Sequence, residues 1–63
     1  MPRALTDRQR WQEELQELTE KAVKHRAAFE ALPASDRVRR DFHEWLARDA
    51  EKRMAELRMR LAG

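Results

Sequence analysis

The two histidines are the residues of this 63-residue chain best suited to acid–base or ligand chemistry. His25 falls in the middle of an apolar stripe, where it would act as a buried base, a pH switch or a ligand group beside the small side chains of Ala22 and Ala50. The alternative is a histidine at the core edge, hydrogen-bonded to a neighbour in the same chain or in a second copy. His43 is expected near the opposite edge of a second stripe, half exposed.

Neither histidine has the spacing of a metal or catalytic motif. The residues three positions before them are Ala22 and Arg40, whereas di-iron bundles use Glu-x-x-His pairs, and no histidine follows another at the zinc-protease spacing. The absence of cysteine excludes disulfides and Cys-ligated zinc. There is also no glycine-rich phosphate loop and no assignable nucleophile–base pair. We therefore predict a non-enzyme with no catalytic residue, no cofactor and no metal.

The charged residues show one basic cluster, formed by Arg37, Arg39 and Arg40. The formal net charge is only +2 although the sequence pI is 9.7. Many charges elsewhere form oppositely charged pairs at helical i,i+4 spacing. These pairs are Glu17–Lys21, Glu20–Lys24, Glu44–Arg48, Asp49–Arg53 and Glu56–Arg60. Such pairs indicate solvated helix faces. Binding of RNA or DNA by the Arg37, Arg39 and Arg40 cluster is therefore an alternative function and not the primary prediction.

A first helix is predicted over about 6–32. Thr6 followed by Gln9 fits a capping box, and Pro33 ends the helix because it disfavours helical geometry at the preceding residue. The stripe positions repeat every seven residues, the period of a coiled coil. They are Trp11, Leu15, Leu18, Ala22, His25, Phe29 and Leu32.

A second helix is predicted over about 36–61, after a turn at 33–35. Ser35 is the expected N-cap, and Asp36 lies in the first turn, where the helix dipole favours a negative charge. The stripe of this helix is broader and closer to 3.6 residues per turn. It contains Val38, Phe42, Trp45, Leu46, Ala50, Met54, Leu57 and Leu61.

The short turn predicts an all-α, antiparallel two-helix hairpin that forms one domain over 1–63. Because both helices rise equally per residue, the numbers of facing residues should have a constant sum. Seven layers nearly satisfy this rule. They are Leu32–Val38, Phe29–Phe42, His25–Leu46, Ala22–Ala50, Leu18–Met54, Leu15–Leu57 and Trp11–Leu61.

A single hairpin leaves both stripes partly open to water, and a chain of this length is marginally stable alone. Trp45 and Leu46 diverge by about 100° and widen the second apolar face beyond what one helix covers. We therefore expect a homodimer forming a four-helix bundle, with a partner's Trp45 as a candidate to fill the Ala22/Ala50 layer. Docking onto a larger protein is the alternative assembly. The predicted function is a regulatory or accessory module acting through protein–protein contact, and a small apolar ligand beside His25 is a third hypothesis.

The chain has no apolar run long enough for a transmembrane helix or a signal-peptide core. The residues Met1-Pro2-Arg3 are typical of a cytosolic start. We therefore predict a cytoplasmic protein with no membrane partner.

Two resemblances accompany these predictions. The paired-helix layout resembles that of the plasmid Rop proteins, which implies a dimeric four-helix bundle that binds paired RNA loops. Residues 27–46 resemble the helical tail of the YdeI/OmdA bacteriocin-protection family, in which a Phe-x-x-Leu-x-x-Ser-x-Arg run leads to a helix that carries Trp. The matching positions are Phe29, Leu32, Ser35, Arg37 and Trp45.

Overall fold

The computed structural model describes residues 5–63, so the Met1-Pro2-Arg3 start lies outside the described residues. It contains α1 (Asp7–Ala31) and α2 (Arg37–Ala62). The two helices pack against each other as an antiparallel hairpin with extents of 50 × 28 × 13 Å. The all-α hairpin predicted from the sequence is therefore what the structure has.

The start of α1 is the predicted capping box. The Gln9 backbone N–H donates to the Thr6 hydroxyl at 3.2 Å, and the Thr6 N–H donates to Gln9 Oε1 at 3.0 Å. At the other end, Leu32 leaves helical geometry with ψ 143°, as expected for a residue before proline. Its N–H still donates to the Ala28 carbonyl and closes the last turn of the helix.

The N-cap of α2 is Asp36, not the expected Ser35. The Asp36 N–H donates to the Pro33 carbonyl at 3.0 Å, which closes a turn that contains Ala34 and Ser35. Asp36 is therefore the first residue free to cap the helix, and its carboxylate accepts the Arg39 N–H at 3.4 Å. A carboxylate in this position also interacts favourably with the helix dipole.

The core lies along the half of the seam away from the turn. Ala22, Ala50 and Met54 form a buried cluster, and the partly buried Leu15 and Leu18 pack against it. Leu57 is fully buried and is the largest such side chain of the described residues. These positions agree with the predicted layers in this half of the hairpin.

The half near the turn has a different register from the one predicted. Here Val38, Phe42 and Trp45 are all exposed, which shows that α2 does not turn them towards α1. The seam positions of α2 are instead buried or half-buried residues at alternating spacings of three and four. They are Arg40, His43, Ala47, Ala50, Met54, Leu57 and Leu61.

The physical reason is that two polar side chains of α2, Arg40 and His43, make specific contacts with α1 across the seam. His25 meets His43 rather than Leu46, and Phe29 is covered by Arg40 rather than by Phe42. The predicted layers Leu32–Val38, Phe29–Phe42 and His25–Leu46 are therefore replaced.

Among residues 5–63, neither helix combines the length and the apolar character that crossing a membrane requires.

Candidate functional site

The seam near the turn holds a pair of histidines. The Nδ1 atoms of His25 on α1 and His43 on α2 are 3.1 Å apart, and both residues are half-buried. The ring centroids are 5.3 Å apart, and the Phe42 ring meets the His43 ring edge-on at 5.6 Å. One Nδ1 must donate and the other accept, so the hydrogen bond requires at least one neutral imidazole.

This pair gives His25 the hydrogen-bonding neighbour that the core-edge interpretation expects. The neighbour is His43 of the same chain. Motif spacing within one helix cannot reveal the pair, because its two members lie on different helices, 18 residues apart in sequence. The signal available in the sequence is the seven-residue repeat of α2 traced back from Leu57 through Ala50, which reaches His43.

Arg40 lies on the seam next to the turn and has a structural role. Its guanidinium carbon is 4.3 Å from the centroid of the Phe29 ring, which is cation–π geometry. The same side chain donates to the Leu32 carbonyl at 2.9 Å, a group that the end of α1 leaves without a helical partner. Arg40 thereby ties the first turn of α2 to the end of α1.

The predicted basic cluster is therefore divided. Arg40 folds inwards, and Arg39 pairs with Asp36 at 3.5 Å while remaining mostly exposed. Arg37 is exposed at the start of α2. A phosphate group approaching this end of the hairpin would meet Arg37 and Arg39 before Arg40.

Two ion pairs join the helices on opposite flanks of the seam. Arg26 donates to Glu51 at 2.6 Å, and Arg53 donates to both oxygens of Glu14 at 3.0 and 3.3 Å. The hydrogen bonds to Glu14 are the main cause of the raised pKa of Arg53, and Glu56 contributes further. Arg53 thus bridges to α1 rather than pairing with Asp49 as the i,i+4 pattern predicts. The Glu44–Arg48 pair is present, at 2.7 Å.

A groove of about 440 Å³ runs along one flank of the hairpin. Ala22 and Met54 contribute to its floor, and the Arg26–Glu51 pair lies at its side. His25 does not line this groove. The groove therefore does not bring Ala22 and His25 together around one ligand, as the hypothesis of a small apolar ligand beside His25 requires.

The most prominent surface feature is an apolar stripe on the outside of α2, formed by Val38, Phe42 and Trp45 and named here the outer stripe. These side chains are 82%, 58% and 63% exposed. Their spacing places them on one face, about 140° around the helix from the seam. Their apolar spacing predicts a place on the packing stripe of α2, but in this chain they face away from α1.

Comparison with protein-family models, with curated proteins and with solved structures finds no match for this chain. The resemblances to the Rop proteins and to the YdeI/OmdA family stay predictions from the sequence.

Proposed function

We propose that the chain is a non-enzymatic interaction module that works as a homodimer, with the outer stripe as its self-association surface. The observation that carries this proposal is the exposure of Val38, Phe42 and Trp45 together on one helix face. A large apolar patch on a small protein marks an interaction site. Within residues 5–63 nothing covers this face, since α1 lies on the other side of α2.

The chemistry of the stripe favours burial against another apolar helix. Aromatic residues are enriched in the buried centres of interfaces, and Trp is prominent among the residues that dominate binding energy. Fully burying a Val or Phe side chain contributes about 1.5–3 kcal/mol. A two-fold contact counts each side chain twice, so a stripe of three residues is in the range of a weak, transient dimer.

The charges beside the stripe favour a second copy as the occupant. An antiparallel contact of the two α2 helices centred near Phe42 brings Val38 of each chain opposite Trp45 of the other. The same register places Arg37 of one chain within about one helical turn of Asp49 of the other. The contact therefore pairs opposite charges at both ends, and the two-fold axis makes it self-complementary.

The proposed dimer contains four helices with the two α2 helices at its centre. The outer stripe and the seam lie on nearly opposite sides of α2. The proposed dimer is therefore flatter than a compact four-helix bundle. The remaining faces of α1, with their mixed charges, are free for a regulatory or accessory contact with another protein.

Contact with RNA or DNA is less well supported, because Arg40 is engaged with Phe29 and Leu32. Binding that uses only Arg37 and Arg39 would involve few phosphates and show a shallow salt dependence.

Sedimentation equilibrium of the purified chain over about 1–100 µM tests the proposal. We expect the mass to rise with concentration to twice the 7.6 kDa of the chain. A mass of one chain at every concentration, with a fully helical circular dichroism spectrum, would contradict it. That result would leave docking onto a larger protein as the use of the stripe.

A further inference from the structure

The histidine pair has the geometry of half a metal site. Two imidazole nitrogens bound to one tetrahedral zinc ion at 2.0–2.1 Å lie about 3.3–3.4 Å apart, and two neighbouring nitrogens of a square-planar site lie about 2.9 Å apart. The Nδ1 atoms of His25 and His43 are 3.1 Å apart, between these two values. Reaching either geometry requires a change of about 0.2–0.3 Å in this separation and a rotation of the two half-buried rings that directs both Nδ1 lone pairs at one point.

We propose that His25 and His43 together bind one divalent transition-metal ion of the zinc and copper class through their Nδ1 atoms. Imidazole nitrogens suit these ions, whereas magnesium and calcium prefer oxygen ligands. The ion takes the place of the proton between the rings. In a neutral pair that proton moves to the free Nε2 of its own ring, and in a singly protonated pair it is released to solvent. Both rings then bind as neutral imidazoles with Nε2–H turned away from the metal.

The surroundings hold the two ligands in place from both helices. His25 follows the buried Ala22 by three residues on α1, and His43 precedes the fully buried Ala47 by four on α2. The Phe42 ring lies edge-on against the His43 ring. Ligands fixed on packed helices need little ordering when the ion arrives.

The site leaves coordination positions for water. Both histidines are only half-buried, so solvent reaches the pair. Within residues 5–63, no set of three or more His, Cys, Asp or Glu side chains is grouped to hold a metal. The chain therefore supplies two ligands, which favours moderate affinity and an exchangeable ion.

The ion would act as a cross-link between α1 and α2 near the turn. The unfolded chain does not hold the two histidines together, so a metal that binds the pair favours the folded hairpin. The melting temperature should therefore rise with metal concentration.

Zinc titration of the untagged, EDTA-treated chain tests the proposal, because these two are its only histidines. We expect calorimetry to give one Zn²⁺ per chain and thermal melts to shift upwards with Zn²⁺, while Mg²⁺ has no effect. The matched variants are His25→Asn and His43→Asn. The Asn amide can preserve a hydrogen bond at the Nδ1 position but is a poor zinc ligand. Loss of a second-shell partner alone weakens metal binding by roughly 10–100-fold. Each variant loses a direct ligand, so its affinity for Zn²⁺ should fall by at least that much.

Either of two results would overturn the site. One is no saturable Zn²⁺ binding by the folded chain, which leaves the pair as a hydrogen bond alone. The other is equal binding by the Asn variants, which places the ligands elsewhere. Repeating the titration with Trp45→Ala separates this site from the proposed dimer, since the pair lies within one chain and should still bind zinc there.

Discussion

Truncation of Trp45 to alanine should separate self-association from folding. A Trp side chain buries about 150–250 Å² when enclosed, and Trp45 is 63% exposed in the hairpin. About 100–150 Å² is thus available to a second copy. If half of this area is buried, at about 25 cal/mol per Å², the contact contributes about 1.5 kcal/mol per chain. The dimer contains Trp45 twice, so Trp45→Ala should weaken dimerisation about 100-fold.

Sedimentation equilibrium measures the dimerisation constant, and circular dichroism measures helix content and thermal stability. Val23→Ala is the matched control. Val23 is also 63% exposed, but it lies on α1, away from the outer stripe. At concentrations where the chain is monomeric, both variants should keep the wild-type helix content and melt within about 0.5 kcal/mol of it, as surface substitutions do. Only Trp45→Ala should lose the dimer. An equal effect of the two variants on the dimerisation constant would refute the reasoning.

Two further predictions concern the hairpin itself. Leu57 is 0% exposed, so Leu57→Ala should lower the free energy of unfolding by about 2–5 kcal/mol. Circular dichroism should then show a largely unfolded chain, whereas Met59→Ala on the exposed face should melt like the wild type. Arg40→Ala should lower the free energy of unfolding by about 1–2 kcal/mol, because it removes the cation–π contact and the hydrogen bond to the Leu32 carbonyl. Arg39→Ala, measured by the same urea titration, should have a much smaller effect, and equal losses would contradict the role given to Arg40.

Much of the fold could be predicted because its signals are local. The Thr6–Gln9 capping box and the break at Pro33 each depend on a few neighbouring residues, and the structure has both. The seam of α1 was predictable because its stripe repeats every seven residues without interruption. The cap of α2 was missed by one residue, since both Ser35 and Asp36 are good caps and only the closure of the turn decides between them.

The half of α2 near the turn could not be predicted from apolar spacing. Val38, Phe42 and Trp45 form an apolar repeat of their own, and it competes with the seam repeat through Arg40 and His43. Hydrophobicity alone selects the apolar repeat. The structure has the seam repeat through Arg40 and His43, because the Arg40 guanidinium covers Phe29 and His43 gives His25 a polar partner. The histidine pair is therefore a consequence of tertiary register, which no single-helix motif reveals.

Disulfide trapping at Phe42 tests the central claim, that a second copy covers the outer stripe, most directly. The chain has no cysteine, so Phe42→Cys carries one thiol. In an antiparallel contact centred near residue 42, that thiol faces its counterpart at a distance a disulfide can span. We predict that mild oxidation links Phe42→Cys into covalent dimers far faster than Val23→Cys, which carries its thiol on the exposed surface of α1. Equal rates for the two variants would contradict the claim.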